Sequence, residues 1–480
     1  MRTREAAWLA AVSITLLAQG SWAAPVQQAA APPKTAAASE ESRVDAVVAG
    51  LMQQRHVPGA SIAVVRDGKL LLAKGYGHAN VELEAPATAD TVYQLASVTK
   101  QFTAAATLLL IDDGKLALED KVTERLSGLP ASWKDVTVRH LLTHTSGIPS
   151  YTSQRKFNET PRKDFTAEEL IKVVAELPMD FQPGEKWSYN NTGYYLLGML
   201  IEKVSGRSYG EFLDERIFKP LGMKDTRVND LSAVIPRRAH GYTWRGKLVN
   251  GEYVSPTQPF AAGALVSTVK DMAKWDAALY TDHPLKASLR EQSWTAEKLT
   301  GGAATTYGFG WGIDQVNGHR LIQHGGGIPG FSTQISRFVD DRLTVIVLTN
   351  LDGGGAGVLA RGVAGVYVPA LAPEERKAIE DKDLATTATL RRVFEDMAKG
   401  TIDPSLFAES AREFFTERAK EAKTVLGQMG ALRSFELLAE QTDGAGRTRM
   451  YRVTLGTTRL LANFHLNKEG RITAAGIRPE

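Results

Sequence analysis

The chain has 480 residues, 43% of them hydrophobic, which is enough for more than one buried core and for two or three domains. Its formal net charge is only +3, and without a long run of like charge the composition gives no indication of nucleic-acid binding. The absence of cysteine excludes thiol catalysis, thiolate metal sites, disulfides and a lipidated N-terminal cysteine.

The N-terminal segment has the pattern of a signal peptide. Two arginines precede an apolar run over residues 6–18, and small residues up to position 23 fit a cleavage site. A membrane span needs about 20 apolar residues, which neither this run nor any other segment provides. We therefore expect a signal peptide over 1–23, an Ala/Pro-rich linker over 24–42, and an exported chain, periplasmic or secreted, without an integral membrane span after cleavage.

The next elements predict a sheet built from both ends of one domain. After a helix over 44–54, the runs ASIAVVRDG and KLLLAKGYGHA meet at an Asp-Gly turn typical of a hairpin. Much later, HRLIQHGG, GFSTQISRF and LTVIVLTN are three more strand-like runs. The residues between have mostly helical periodicity, as in 194–204 and 271–278. This order predicts an α/β (α+β) domain over 43–371, with an antiparallel five-stranded-type sheet, flanking helices and an inserted helical region.

The tail, over 372–480, has a different pattern. A charged helix is predicted over 373–400 and a second helix up to 429, followed by the alternating runs SFELLAEQ, RMYRVTLG, RLLANFHLN and RITAAGIRP. Helices followed by antiparallel strands predict a small α+β domain. It has no cluster of chemistry-bearing residues, so we expect an accessory or packing role.

The pattern Ser-x-x-Lys occurs three times, beginning at Ser97, Ser153 and Ser267. The second copy lies in a polar segment without periodicity. In the third copy, Thr268 followed by Asp271 predicts a capping box at a helix start. Only the first copy precedes a strongly apolar helix, TKQFTAAATLLLIDDG, and its spacing places Lys100 one turn after Ser97 on the same face.

This placement suits nucleophilic catalysis. A serine hydroxyl becomes a good nucleophile when a base takes its proton, and lysine does this only if its pKa falls well below about 10.4. Burial lowers the pKa of a lysine, and a helix N-terminus favours a developing oxyanion. Ser97 has a second explanation as a helix N-cap, because serine is favoured there. The spacing alone leaves both explanations open.

Two further motifs favour the catalytic interpretation. The chain contains one Tyr-x-Asn, at Tyr189 to Asn191, and one His-x-Gly, at His324 to Gly326. In this order, the three motifs resemble the serine β-lactamase and penicillin-binding-protein superfamily, in particular its branch of class C β-lactamase-like esterases and peptidases. The segments LLTHTSGIPSY and GALVSTVKDM are also similar to segments of that family. The resemblance covers residues 43–371.

The resemblance implies a role for each motif residue. Ser97 would be the acylated nucleophile and Lys100 the group that receives its proton. Tyr189 would transfer a proton to the leaving group and activate the deacylating water. Asn191 would orient Lys100 and bind a substrate amide or carbonyl.

The resemblance also implies a strand that lines the cleft. His324 and Gly326 would lie on it, and the backbone N–H groups of Ser97 and Gly327 would form the oxyanion hole. The three consecutive glycines leave room for substrate backbone beside the strand. The chain lacks the Lys-Thr-Gly that many β-lactamases and transpeptidases have here. Histidine titrates near 6.5, so His324 offers at most a partial charge to a substrate carboxylate.

Other candidate motifs have structural explanations. His140 and His144 could share a helix face as metal ligands, but the Glu of a His-Glu-x-x-His motif is missing, and we predict no metal site. The glycine run over 352–357 lacks the Lys-Ser/Thr of a phosphate loop, which favours a turn into a helix over 358–367.

The sequence therefore predicts an exported serine hydrolase that forms an acyl-enzyme and hydrolyses an ester, a D-amino-acid amide or a peptide. We expect a small-molecule or peptide substrate, with the cell wall as one source, and no cofactor or nucleic-acid partner. One alternative is a β-lactamase or D,D-carboxypeptidase. Another is a catalytically silent cell-wall binding or sensor protein that uses the same cleft.

Overall fold

The computed structural model describes residues 39–373, 376–427, 429–442, 444, 446–456 and 458–479. The predicted signal peptide and almost all of the predicted linker lie outside these residues. The first helix begins at Glu40, earlier than the periodicity indicates, because two glutamates in its first turn interact favourably with the helix dipole. Within the described residues, no helix has the length and hydropathy that a membrane crossing requires.

The strands of the described residues have the following bounds. They are β1 Gly59–Arg66, β2 Lys69–Asn80, β3 Ala85–Pro86, β4 Tyr93–Gln94, β5 Arg227–Val228, β6 Tyr242–Trp244, β7 Leu248–Asn250, β8 Leu265–Ser267, β9 Gly312–Val316, β10 His319–Ile328, β11 Phe331–Phe338, β12 Leu343–Thr349, β13 Leu432–Thr442, β14 Gly446–Leu455, β15 Thr458–Asn467 and β16 Ile472–Pro479.

The helices have the following bounds. They are α1 Glu40–Gln54, α2 Lys100–Asp112, α3 Val122–Arg125, α4 Val138–Leu142, α5 Arg155–Asn158, α6 Ala167–Ala175, α7 Asn191–Ser205, α8 Tyr209–Leu213, α9 Lys219–Leu221, α10 Phe260–Gly263, α11 Val269–Ala278, α12 Ala287–Ser293, α13 Ala356–Tyr367, α14 Leu384–Lys399 and α15 Glu409–Leu426. Short 3₁₀ turns include Ala96–Thr99 and Tyr151–Ser153.

The main sheet confirms the predicted assembly from both ends of the domain. Its strand order is β3-β2-β1-β12-β11-β10-β9, so the first long strand lies beside the last. Strand β1 pairs antiparallel with β12, with Ala63 opposite Ile346. The five predicted strands form the centre of this sheet. The shorter β3 and β9 add one strand at each edge, which makes seven strands in the described residues.

Helices cover both faces of this sheet. Along β1, Ile62 and Val64 belong to a core shared with α1 and α13, whereas Ala63 and Val65 belong to a larger core shared with α2 and α7. Successive residues of a strand point to opposite faces, so a strand buried on both faces is hydrophobic throughout. The larger core holds the inserted helical region against the sheet, and α2 carries the predicted Ser-x-x-Lys into it.

The C-terminal residues form a small four-stranded antiparallel sheet, β13-β14-β15-β16, packed against α14 and α15 around a core of its own. The predicted helix over 373–400 begins only at Leu384. Asp383 caps it by accepting a hydrogen bond from Thr386 N. Before the cap, Asp381 pairs with the buried Arg449, and Ile379 N donates to a carbonyl of β13. These contacts hold the segment against the sheet, which prevents helix formation there.

Candidate active site

Ser97 lies in the 3₁₀ turn that leads into α2. Its side chain does not cap the helix, since no side chain caps the start of α2 and the Lys100 N–H donates to the Ser97 carbonyl. The residue before it, Ala96, has a φ of +48°, a left-handed conformation that costs about 1–2 kcal/mol. Hydrogen bonds of Leu95 to β8 and to Thr333 on β11 hold the turn in place. The packed sheet thus presents Ser97 in a strained, fixed turn.

Lys100 is fully buried directly behind Ser97. Its Nζ donates to Ser97 Oγ at 3.1 Å, to Asn191 Oδ1 at 2.9 Å and to the carbonyl of Ala262 at 2.8 Å. None of these acceptors is a carboxylate. Burial disfavours the ammonium form and holds the pKa of Lys100 well below its ordinary value of 10.5. Lys100 can therefore reach the neutral amine form that accepts a proton from a serine hydroxyl.

The Tyr189-Asn190-Asn191 motif leads into α7. Asn190 is the N-cap and accepts from Gly193 N at 2.7 Å, which leaves the next residue, Asn191, free to extend its carbonyl to Lys100. The ring of Tyr189 faces Lys100, whose Nζ lies 4.9 Å from its centroid. Desolvation raises the pKa of the Tyr189 phenol, and its hydrogen bond to Ser97 lowers it by less. The phenol is consequently protonated at neutral pH.

His324 lies on β10 beside Tyr307. Its Nδ1 is 2.7 Å from the Gly325 carbonyl, which can only accept, so Nδ1 carries the proton and Tyr307 donates to Nε2 at 2.7 Å. Burial, with a smaller contribution from Lys100, lowers the pKa of His324 to about 3. The imidazole is thus neutral at physiological pH and carries even less charge than the partial charge expected from its ordinary pKa.

The three glycines of β10 have different surroundings. A side chain at Gly326 would meet the Leu95 carbonyl at 2.2 Å and Thr333 Oγ1 at 2.3 Å. The space beside Gly326 is therefore filled by the protein's own turn before Ser97, in place of the substrate backbone that the sequence suggested. Gly327 has no atom within 4 Å of an added side chain and faces open space. Gly327 is the glycine that leaves room in the cleft.

His144 lies beside the motif residues, a position that the sequence pattern did not indicate. Helix α4 ends at Leu142 and His144 has a φ of +60°, so His140 and His144 do not share a helix face. Buried His144 accepts from Asn190 N at 3.0 Å through Nδ1 and packs with its ring centroid 4.3 Å from that of Tyr189. Through these two contacts, His144 helps to hold the Tyr-x-Asn motif in place. Within the described residues, no group of three or more His, Asp or Glu side chains forms a metal site.

A comparison with protein families identifies the chain. The model of the family described as Beta-lactamase matches residues 44–367, more than half of the sequence. The chain belongs to the β-lactamase family. It is 33% identical over 317 residues to penicillin-binding protein 4* of Bacillus subtilis, over 62% of this chain and 69% of that protein. The predicted membership of the β-lactamase and penicillin-binding-protein superfamily is confirmed.

Solved structures of the same fold extend this result. The octameric penicillin-binding protein homologue from Pyrococcus abyssi is 26% identical, with a TM-score of 0.63 over 92% of this chain and 99% of that chain. The D-amino acid amidase from Ochrobactrum anthropi SV3, complexed with L-phenylalanine amide, is 28% identical, with a TM-score of 0.59 over 69% of this chain and 96% of that chain. The similarities support a serine hydrolase of the β-lactamase fold.

The serines of the other two Ser-x-x-Lys copies of this β-lactamase-family chain have different surroundings. Ser153 is an exposed residue of a 3₁₀ turn. Lys270 pairs with Asp90 at 2.8 Å, and Ser267 Oγ lies 2.7 Å from the Thr226 hydroxyl. The predicted cap at Thr268 is present, because its side chain accepts from Asp271 N at 3.1 Å. The box is incomplete, since the Asp271 carboxylate instead accepts from Asp225 N and Thr226.

Two cavities adjoin the motif residues. One, of about 350 Å³, opens beside Ser97, Asn191 and Gly327 and has mostly apolar walls. The other, of about 330 Å³, lies beside Tyr189 and His324 and is lined by Trp187, Tyr307 and Asp314 among others. Among the described residues that line either cavity, there is no lysine or arginine. A substrate carboxylate would find no cationic side chain in these linings.

Proposed function

We propose that the chain is an exported serine hydrolase that forms an acyl-enzyme on Ser97 and hydrolyses an ester, a D-amino-acid amide or a peptide. The observation that carries this proposal is the 3.1 Å contact between Ser97 Oγ and Nζ of the fully buried Lys100. Burial lowers the pKa of that lysine well below its ordinary value, which favours the neutral amine that a proton acceptor requires.

In neutral Lys100, the two N–H groups serve Asn191 and Ala262, and the lone pair of Nζ faces Ser97 Oγ. Acylation begins when this lone pair takes the Ser97 proton as Oγ attacks the substrate carbonyl carbon. The carbonyl oxygen becomes an oxyanion, and the N–H groups of Ser97 and Gly327 are the proposed donors to it. Both residues line the same cavity, and the N-terminal end of α2 adds partial positive charge. Asn191 keeps Lys100 aimed at Ser97, and its amide nitrogen donates to Thr152 Oγ1 at 3.0 Å. The second N–H of that nitrogen, beside the cavity, is the proposed contact for a substrate amide or carbonyl.

Collapse of this intermediate requires a proton for the leaving group. Tyr189 is the proposed donor because its raised pKa keeps it protonated, and the ammonium of Lys100 beside the ring returns a proton to the phenolate. In deacylation, water takes the place of the leaving group and the proton transfers run in reverse. In this scheme, neutral His324 holds β10 beside Tyr307 through their hydrogen bond. Gly326, which has no side chain, leaves room for the turn that carries Ser97.

The cavities favour a substrate without a negative charge beside the reacting carbonyl. The cavity on the Tyr189 side has Asp314 as its charged residue, and its histidine is neutral. A carboxylate placed there would lose hydration without gaining a cationic partner. The D-amino acid amidase relative supports small amides as candidates for this chain. We accordingly favour esters and amides without a carboxylate over β-lactams and D-alanyl-D-alanine peptides.

The test combines labelling and turnover on the purified chain. A covalent serine-directed probe, followed by peptide mass spectrometry, should modify Ser97, and Ser97→Ala should abolish labelling. Hydrolysis should be followed on p-nitrophenyl acetate, D-alanine p-nitroanilide and a chromogenic cephalosporin, with the first two turned over faster. Full activity in Ser97→Ala would overturn the proposal. Tight ligand binding without any acylation would instead support the silent binding protein.

Export is tested separately. Residues 1–42 are fused to a reporter enzyme that is active only outside the cytoplasm, and the fusion should show reporter activity. Replacement of the apolar run 6–18 by polar residues should abolish that activity.

A further inference from the structure

The cavity beside Ser97 has apolar walls and a single charged residue. Tyr151, Phe157, Val254 and Ile328 form much of its surface, and Glu252 is the one residue among its described lining residues whose side chain is ordinarily charged at neutral pH. The larger polar groups in the wall are already engaged. Gln258, for example, donates its amide to the carbonyls of Thr160, Pro161 and Lys163. Apart from Asn191, which is the proposed contact for a substrate amide or carbonyl, an apolar surface and one carboxylate remain to select a ligand.

The Glu252 carboxylate is available to a ligand. Within the described part of the chain, no hydrogen bond or ion pair is made to its side chain. Arg238 lines a neighbouring cavity together with Glu252, but its guanidinium donates to Asn229 Oδ1 at 2.8 Å and to the carbonyl of Asp230. The nearby arginine is thus already engaged elsewhere.

The backbone holds Glu252 at a defined place. Its neighbour Gly251 donates to the Gly241 carbonyl at 2.8 Å and lies so close to Gly330 that an added side chain would meet Gly330 Cα at 2.7 Å. Gly330 directly follows Pro329, which lines the same cavity as Ser97. The backbone beside Glu252 is therefore held against the turn that follows β10, and the exposed side chain of Glu252 lines the same cavity as Ser97.

From this arrangement we infer that Glu252 binds the protonated amino group of the acyl part of the substrate, so that the enzyme acts on substrates with a free amine there. This inference rests on the proposed function. A carboxylate beside apolar walls gains most from a ligand that brings the opposite charge and a hydrogen-bond donor. A cavity of about 350 Å³ is at the small end of ligand sites and suits one aminoacyl residue. The reaction would release an unblocked N-terminal residue or hydrolyse a free amino-acid amide.

The decisive measurement is a ratio of kcat/KM between two substrates that differ only in the amine. Alanine p-nitroanilide and N-acetylalanine p-nitroanilide, each in D and L configuration, are compared at pH 6.5, below the α-amino pKa of about 7.7–8.0. The native protein should prefer the free amine. Glu252→Gln should reduce that preference about fivefold, the range for a partly exposed charge pair, and Glu252→Lys should reduce it further. Glu291→Gln, on the exposed face of α12, is the matched control and should leave the ratio unchanged.

Hydrolysis of p-nitrophenyl acetate, which has no amine, separates the two proposals. If the ester is hydrolysed through Ser97 while the native protein shows no preference for the free amine, or Glu252→Gln leaves the ratio unchanged, the inference is overturned and the proposed function stands. If neither the ester nor the anilides are hydrolysed and Ser97 is not acylated, both proposals fail. A preference that Glu252→Gln weakens and Glu291→Gln does not would establish the role of Glu252.

Discussion

Lys100 Nζ donates a hydrogen bond of 2.9 Å to Asn191 Oδ1, which joins the first residue of α2 to the first residue of α7. These residues are 91 positions apart in the chain, and each lies in a motif that would be weak alone. The contact links the two motifs physically. It also distinguishes this Ser-x-x-Lys copy from the one at Ser267. Lys100 is buried with amide, carbonyl and hydroxyl acceptors and no carboxylate among its partners, whereas Lys270 pairs with Asp90.

Replacement of this lysine by methionine should remove activity while the fold persists. Lys100→Met keeps most of the length of the side chain and removes the buried amine, but it leaves Asn191 Oδ1 and the buried carbonyl of Ala262 without this donor. We expect kcat/KM to fall by about 10²–10⁴, the range for loss of a general base. The matched control is Lys270→Met, in the Ser267 copy, where the lysine pairs with Asp90 near the surface.

Both variants are checked by circular dichroism and thermal unfolding before kinetics. If Lys100→Met folds and retains most of the native kcat/KM, Lys100 is not the proton acceptor. A large loss in the Lys270 variant would instead indicate that the assay reports stability.

The spacing of residues was sufficient to predict part of this site. A spacing of three positions from Ser97 to Lys100 places both on one side of a turn in either a 3₁₀ or an α conformation, so the prediction did not depend on the exact helix start. The five long strands were predicted because each is a hydrophobic run bounded by turn residues. The late start of α14 was not, because it depends on the pairing of Asp381 with Arg449, which lies 68 positions later.

The parts that sequence could not supply are backbone groups and isolated aromatics. The third acceptor for Lys100 is the carbonyl of Ala262, and a carbonyl is present at every residue. Tyr307 lies in TTYGFGWG, which has neither strand nor helix periodicity, so nothing in the sequence pointed to its contact with His324. For Gly326 the sequence indicated that another stretch of backbone lies close by. It could not tell whether that backbone belongs to the substrate or to Leu95 of the protein itself.

The neutral His324 should make stability depend on pH. Its pKa is about 3 in the folded protein and about 6.5 in the unfolded chain, so the unfolded chain binds more protons between these values. The free energy of unfolding is therefore highest above pH 6.5 and falls as pH decreases toward 3, by up to about 1.4 kcal/mol per pH unit from this group.

Urea denaturation at pH 7, 6, 5 and 4 measures this dependence. His324→Asn removes the titrating group and should give a flatter profile than the native protein over the same interval. Carboxylates titrate in both proteins, so the difference between the profiles isolates the histidine. Parallel profiles would refute the assignment of a neutral, buried imidazole.

Alanine substitutions at two neighbouring glycines should differ in their effect on stability. Gly326→Ala places a methyl group 2.2 Å from the Leu95 carbonyl, so the turn before Ser97 must move and both stability and activity should fall. Gly327→Ala meets no atom within 4 Å and should leave the melting temperature close to that of the native protein. Differential scanning calorimetry of the pair decides this, and equal melting temperatures would contradict the close packing described for Gly326.

Tyr189→Phe should distinguish a proton donor from a packing residue. The substitution keeps the ring against His144, whose centroid is 4.3 Å away, and removes only the hydroxyl. A p-nitrophenolate leaves without a proton because it is a weak base, whereas the nitrogen of a p-nitroanilide must be protonated as the bond breaks. We therefore expect acylation by the anilide to slow by about 10²–10⁴ and acylation by the p-nitrophenyl ester to slow much less. Single-turnover kinetics measure both acylation steps directly. Equal losses on the two substrates would mean that Tyr189 acts through Ser97 activation or positioning, and the protonation of the leaving group would then have to come from Lys100.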